Sequence, residues 1–293
     1  MQKRDLKNSK RRKFLKTSLA LVGFGMSLSY AKNNTTFTKE QTMNLTAKAE
    51  QTLKQLFGST NVSLAKTDPE FFSNYVNFAF DEVPQHSNLN LQERLMIICA
   101  SLVAIPALSE FKTIAQAALK NQVSPVALKE IVYQATPYVG MGKAIDFVNA
   151  TNEIFAANKI SLPLQPQSAT NRENRKEKGL ATQRELFGEA IDKGNAAAPA
   201  DVKHIREFLS ANCFGDYYTR GGLDLKFREL LTFVYILSMG GAEPQLKGHI
   251  VGNLRIGNDR ALLVSVVTAL VPYIGYPRSL NAFNAIDELS PYK

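Results

Sequence analysis

Apolar side chains recur at helical spacing along most of the chain, and one stretch of that pattern occurs twice. Leu128, Ile131, Val132 and Ala135 stand at i, i+3, i+4 and i+7, and the same register returns at Leu263, Val266, Val267 and Leu270. Each run leads into the same block. Pro137-Tyr138-Val139-Gly140 is followed by Asn149-Ala150, and at one constant offset Pro272-Tyr273-Ile274-Gly275 is followed by Asn284-Ala285. An offset that carries position 137 to position 272 means two copies of one domain rather than a short-repeat solenoid. No run alternates apolar and polar residues convincingly, so strands are not required and the predicted class is all-α. Asn90 and Asp224 predict N-caps for the apolar helices that follow them. Ser124 before Pro125, and Asp259 at the matching place, predict the starts of another equivalent pair.

The 293 residues suffice for two domains of ordinary size, each able to bury its own core. The first copy is read as residues 45–158 and the second as 179–293. Between them, residues 161–178 carry Pro163, Pro166 and a run of charge from Arg172 to Lys178, and read as a solvated linker.

Charge changes the picture only at the N-terminus. The whole chain carries +9, but residues 1–31 hold eight Lys and Arg against the single carboxylate of Asp5. That segment therefore accounts for +7 and leaves +2 for the rest, which removes nucleic acid as an expected partner. A basic start, a short apolar stretch over residues 19–28 and the small residues around Ser29-Tyr30-Ala31 read as an export signal. Arg11-Arg12-Lys13-Phe14-Leu15-Lys16 is similar to the twin-arginine pattern, and the expected location is a bacterial periplasm. No membrane span is expected once the signal is removed. The only cysteines, Cys99 and Cys213, read as small buried hydrophobes.

Candidate chemistry emerges from comparing the copies. In the second, Gly240-Gly241-Ala242-Glu243-Pro244-Gln245-Leu246-Lys247-Gly248-His249 reads as a tight turn into a helix with Pro in its first turn. Gln245 and His249 share a face of that helix, and Glu243 sits at its mouth. At the offset of the repeat, Glu243 faces Leu108 and His249 faces Ile114, so both polar groups are lost from the first copy. The expected site is therefore in the second copy, at Glu243 and His249. No further metal ligand stands at suitable spacing beside His249, so no metal is expected, and no cofactor is called for.

Phe214-Gly215-Asp216, Arg220-Gly221-Gly222-Leu223-Asp224-Leu225, Arg228-Glu229-Leu230, Glu243-Pro244-Gln245-Leu246, His249 and Pro272-Tyr273-Ile274-Gly275-Tyr276-Pro277, in that order, resemble the carboxymuconolactone decarboxylase family. The first copy resembles it more weakly, through Leu89-Asn90-Leu91, Arg94, Asn121-Gln122-Val123-Ser124-Pro125 and Pro137-Tyr138-Val139-Gly140. The resemblance implies two AhpD-like helical domains in tandem and assembly as a homo-oligomer, here a trimer of tandem chains. It also implies two chemistries. The alkyl hydroperoxidase branch uses a Cys-x-x-Cys pair, whose positions map to Ala242 and Gln245, with an upstream Glu at Glu229; without those thiols, peroxide reduction by a dithiol cannot run there. The decarboxylase branch needs only acid–base groups and a small carboxylated substrate. The resemblance then implies His249 as catalytic general acid/base and Glu243 as its orienter or proton partner, with Tyr273, Gln245 and Glu229 lining the pocket. A peroxidase that uses Cys213 and a non-catalytic binding or assembly protein are the alternatives.

Overall fold

A computed structural model describes residues 44–59 and 63–292; the segment read as an export signal lies outside them. The first copy comprises α1 (Ala47–Phe57), α2 (Ser63–Thr67), α3 (Pro69–Asn77), α4 (Leu91–Ala104), α5 (Leu108–Lys120), α6 (Pro125–Val139) and α7 (Met141–Ala157). The second comprises α8 (Arg175–Phe187), α9 (Ala190–Ala196), α10 (Lys203–Phe208), α11 (Leu225–Met239), α12 (Glu243–Arg255) and α13 (Arg260–Leu289). No strand occurs among the described residues. Each copy also has a widened π-helical segment at a corresponding place, Phe78–Glu82 in the first and Leu209–Tyr218 in the second.

The helix starts follow the predicted caps. Asn90 forms a capping box with Glu93, and Ser124, Asp224 and Asp259 each accept a hydrogen bond from the backbone N–H three residues on. Helices α5 and α12 are the same length, and their starts at Leu108 and Glu243 keep the offset of the repeat. Gly140 ends α6 at φ 84°, and Gly275 breaks α13 at φ 76°, so the repeated Pro-Tyr-x-Gly block makes the same kink twice. Helix α13 is long and apolar enough to cross a membrane by composition. In this fold the break at Gly275 divides it, and Leu263, Val266, Val267, Leu270 and Ile286 are fully buried in the protein core.

Two features differ from the sequence reading. First, the copies do not keep separate cores. One apolar cluster runs through α1, α4, α5, α6, α7, α11, α12 and α13, and α4 and α6 of the first copy pack directly on α11 of the second. Polar contacts cross the same boundary: Tyr235 donates to the Ile131 carbonyl at 2.7 Å, and Arg228 donates to Gln134 at 2.8 Å and Glu130 at 3.0 Å. Two amphipathic halves of this size bury more apolar surface together than apart.

Second, α8 begins at Arg175, inside the stretch read as linker. The charge run is docked rather than solvated throughout, since Arg175 pairs with Asp216 at 2.5 Å and Lys176 with Glu207 at 3.1 Å. Helix α8 lies backbone to backbone against the π-helical segment. A Cβ on Gly179 would stand 1.9 Å from the Ser210 carbonyl oxygen, and one on Gly215 would stand 2.1 Å from that of Arg175. Only glycine permits that approach, and it sets the wall of the site.

Candidate active site

Helix α12 enters from two left-handed glycines, Gly240 at φ 69° and Gly241 at φ 72°, with Pro244 in its first turn. It carries His249 to the edge of a cavity of about 330 Å³, lined by Tyr138, Phe187, Cys213, Phe214, Gln245 and His249 among others. Gln245 and His249 share this face, as their spacing predicts. Ala242, one of the positions to which the dithiol pattern maps, also lines the cavity.

His249 does not pair with Glu243. Its Nδ1 lies 2.7 Å from Oε1 of Glu229, which projects fully buried from α11. Glu243 is exposed at the start of α12, beside a shallow depression with Arg278 and Asn281 that adjoins the cavity through Ile236 and Ala242. Six residues along a helix turn a side chain about 240° and raise it about 9 Å, so Glu243 and His249 cannot meet on one helix. The partner comes instead from the neighbouring helix. Gly252, one turn after His249, makes the approach possible, because a Cβ there would stand 2.4 Å from Glu229 Oε1 and 2.8 Å from Phe187. Asn253 adds a brace, donating to the backbone carbonyls of Glu229 at 3.1 Å and His249 at 2.7 Å.

Behind the dyad lies a chain of hydroxyls. Tyr218 donates to Glu229 Oε2 at 2.6 Å, and the Thr232 hydroxyl lies 2.5 Å from Tyr218 and 3.0 Å from Tyr138. Cys213 donates through Sγ to the Tyr138 hydroxyl at 3.5 Å. Burial holds the phenols of Tyr138 and Tyr218 well above their usual range, and the Glu229 carboxylate adds to the effect at Tyr218, so both stay protonated. Burial also pushes the Cys213 thiol up to about 12, with the charge of Glu229 acting in the same direction and the Tyr138 hydrogen bond against it. Phe187 and Tyr138 set their ring edges against the imidazole at centroid distances of 5.4 Å and 6.2 Å.

Tyr138 belongs to the first copy, although the site is otherwise built from the second. The exchange is reciprocal. Tyr273, expected at the His249 pocket, packs instead at the first copy's equivalent place, with its ring 6.5 Å from that of Tyr75 and its hydroxyl buried. There Arg94 and Ile114 occupy the positions of Glu229 and His249, so no acid–base pair forms. The polar residues that sequence reasoning passed over obey the asymmetry that singled out His249: Tyr218 corresponds to Val83, Thr232 to Ile97 and Gly252 to Ala117. The expectation of no metal met a neutral result, since no three His, Cys, Asp or Glu groups come together among the described residues.

Fold and site together define an all-helical tandem protein with one buried histidine–carboxylate dyad, set where the two copies meet. The chain belongs to the carboxymuconolactone decarboxylase family, whose model matches residues 69–153 and again residues 204–288, two stretches in the register of the repeat. Among solved structures it is similar to a protein of Burkholderia xenovorans LB400, provisionally named a gamma-carboxymuconolactone decarboxylase subunit and determined at 1.70 Å. That chain is 18% identical with a TM-score of 0.47, over 82% of this chain and 96% of the other. No curated protein matches the chain.

Proposed function

We propose that this protein is an exported acid–base enzyme acting on a small carboxylated molecule, by decarboxylase- or lactone-type chemistry, with His249 as the proton-transfer group. The observation that carries this reading is the 2.7 Å contact between His249 Nδ1 and Glu229 Oε1 beside the cavity. Engagement of Nδ1 leaves Nε2 as the ring nitrogen for substrate, and the carboxylate orients the imidazole. No Lys or Arg lines this cavity, so a substrate carboxylate would find no permanently charged partner among its lining residues. When the C–CO₂ bond breaks, its electrons pass into the conjugated enolate. Nε2–H then delivers a proton to the carbanionic carbon, and solvent returns one to the ring.

Export is the part of this reading that rests on residues 1–31 alone, through the twin-arginine-like segment. The test is a screen of small carboxylated lactones and organic peroxides with mature protein, His249→Ala and Glu229→Gln. Turnover of a carboxylated lactone that both substitutions abolish is expected. Turnover indifferent to His249→Ala would sink the acid–base assignment, and absence of any turnover would favour a binding or assembly protein.

A second reading is favoured by one observation: Cys213 lines the same cavity and contacts Tyr138. In a peroxidase its thiolate would attack the peroxide O–O bond, giving a sulfenate and an alcohol, with an external thiol needed to regenerate it. A thiol held near 12 is almost wholly protonated at neutral pH, which is why this reading ranks second. Peroxide turnover lost in Cys213→Ala would reverse that order.

A further inference from the structure

A larger cavity, of about 420 Å³, lies at the other end of α6 and shares no residue with the His249 site. Its floor is one face of α6, where Val126, Lys129, Glu130 and Tyr133 fall at i, i+3, i+4 and i+7. Residues 162–167 form one wall, Asn152 of α7 another, and Arg220 reaches in from the second copy.

The charges do not balance. Both oxygens of Glu130, which is 1% exposed, are taken: Arg220 binds them through Nε and Nη2 at 2.8–3.1 Å, and the buried Arg228 adds a bond at 3.0 Å. Glu130 is the only carboxylate lining the cavity, so it cannot also neutralise Lys129. Lys129 and Arg220 therefore line the cavity with one carboxylate between them, and that carboxylate is already shared with the buried Arg228. The Lys129 ammonium is the anomaly. The residue is only 5% exposed, its one protein acceptor is the uncharged Oδ1 of Asn152, and burial lowers its pKa. The rings of Phe155 and Tyr133 lie 5.4 Å and 5.7 Å from Nζ and offset part of the desolvation, but neither is a counter-ion. A buried ammonium normally finds a carboxylate. Here two Nζ donors and Arg220 Nη1 are left without protein partners beside an open volume otherwise lined by uncharged residues. The arrangement exists once, because the second copy has Val264, Thr268 and Asp287 at the places of Lys129, Tyr133 and Asn152.

We propose that this cavity is a second binding site, for a compact organic carboxylate whose charge is held by Lys129 and Arg220 and whose apolar body packs on Val126 and Leu164. The site stands independently of the acid–base reading of His249. It is tested by ligand-observed NMR and calorimetry on the full chain, with benzoate as the probe, benzamide as its uncharged counterpart and inorganic phosphate as the competing anion. Benzoate is expected to bind one site, benzamide more weakly, and phosphate not to displace it. Lys129→Met should weaken benzoate by about tenfold or more, the worth of one charge-assisted hydrogen bond, while His249→Ala leaves it unchanged. Asn152→Asp supplies Lys129 with a counter-ion from the half-buried rim, and should weaken benzoate similarly; it carries the test if Lys129→Met does not fold. No benzoate binding to the parent protein, undiminished binding in a folded Lys129→Met or Asn152→Asp variant, or loss confined to His249→Ala would each overturn the proposal. Preferential phosphate binding would overturn the carboxylate assignment.

Discussion

Glu229 and His249 meet at 2.7 Å across two helices, and Gly252, one turn beyond the histidine, leaves room for the carboxylate because it has no side chain. Glycine inside a helix costs about 0.5–1 kcal/mol relative to alanine, so on propensity alone Gly252→Ala would stabilise α12. Here the added methyl would stand 2.4 Å from Glu229 Oε1, and overpacking of that kind costs about 1–3 kcal/mol. The clash wins: Gly252→Ala is expected to lower the urea midpoint and to push Glu229 off the imidazole. Glu229→Gln keeps the shape and removes the charge, and should lower kcat/KM by about 10²- to 10⁴-fold. A Gly252→Ala variant at least as stable as the parent, with full activity, would show that the tight packing around the dyad is not needed.

The two tyrosines of the repeated block predict opposite outcomes for one substitution. Tyr138→Phe removes the hydroxyl that joins Cys213 and Thr232 beside His249, and kcat/KM should fall by about tenfold, the worth of one hydrogen bond at a site. Tyr273→Phe removes a buried hydroxyl beside Tyr75, away from His249, so activity should hold. Comparing thermal unfolding and turnover in the two variants checks both. Equal effects would mean that the exchange of tyrosines between copies has no functional weight.

Cys213 gives the pH prediction. Burial favours the neutral thiol, so the folded pKa, about 12, lies above that of an unfolded cysteine. The stability this contributes is complete below the unfolded value, about 8.5, and is lost as pH climbs toward 12, because only the unfolded chain releases its proton in that window. The same shift leaves thiolate at pH 8 about three orders of magnitude scarcer than in a free cysteine. Iodoacetamide should therefore modify the native chain slowly at pH 8, with a rate still climbing above pH 10, and rapidly in urea. A native rate that levels off near pH 8 would mark an activated thiol and move the peroxidase reading ahead.

Much of this was legible from the residues. Caps at Asn90, Ser124, Asp224 and Asp259 are local, since each needs only a side chain and a backbone N–H three residues away. His249 emerged because its counterpart is Ile114. The same comparison could have raised Tyr218 against Val83 and Thr232 against Ile97. The histidine's partner was misassigned for a physical reason. Glu243 is its neighbour in sequence and at a helix mouth, but the geometry of one helix keeps the two apart, and Glu229 arrives from a second helix. Which of two matching Pro-Tyr-x-Gly blocks serves the site was beyond any local pattern, because Tyr138 reaches it only through packing between the copies.

The surface repeats as well as the core, and this bears on assembly. Met141 and Ile145 at the start of α7 are 58% and 44% exposed, and their counterparts in the second copy, Tyr276 and Leu280, are 63% and 56% exposed. Scattered apolar residues on a surface are ordinary, but large apolar side chains exposed at equivalent places in both copies suggest a face that is covered. We propose that these faces meet in a homo-oligomer, with a trimer of tandem chains as the expected form. Each face would then be buried against a neighbour, and a charge placed in it would have no partner. Light scattering on the mature protein should give a mass of several chains. Met141→Asp with Tyr276→Asp should reduce it to one chain without loss of helical circular dichroism, because both residues lie outside the core. A parent protein that runs as a single chain at every concentration would leave these four residues as unconnected surface positions.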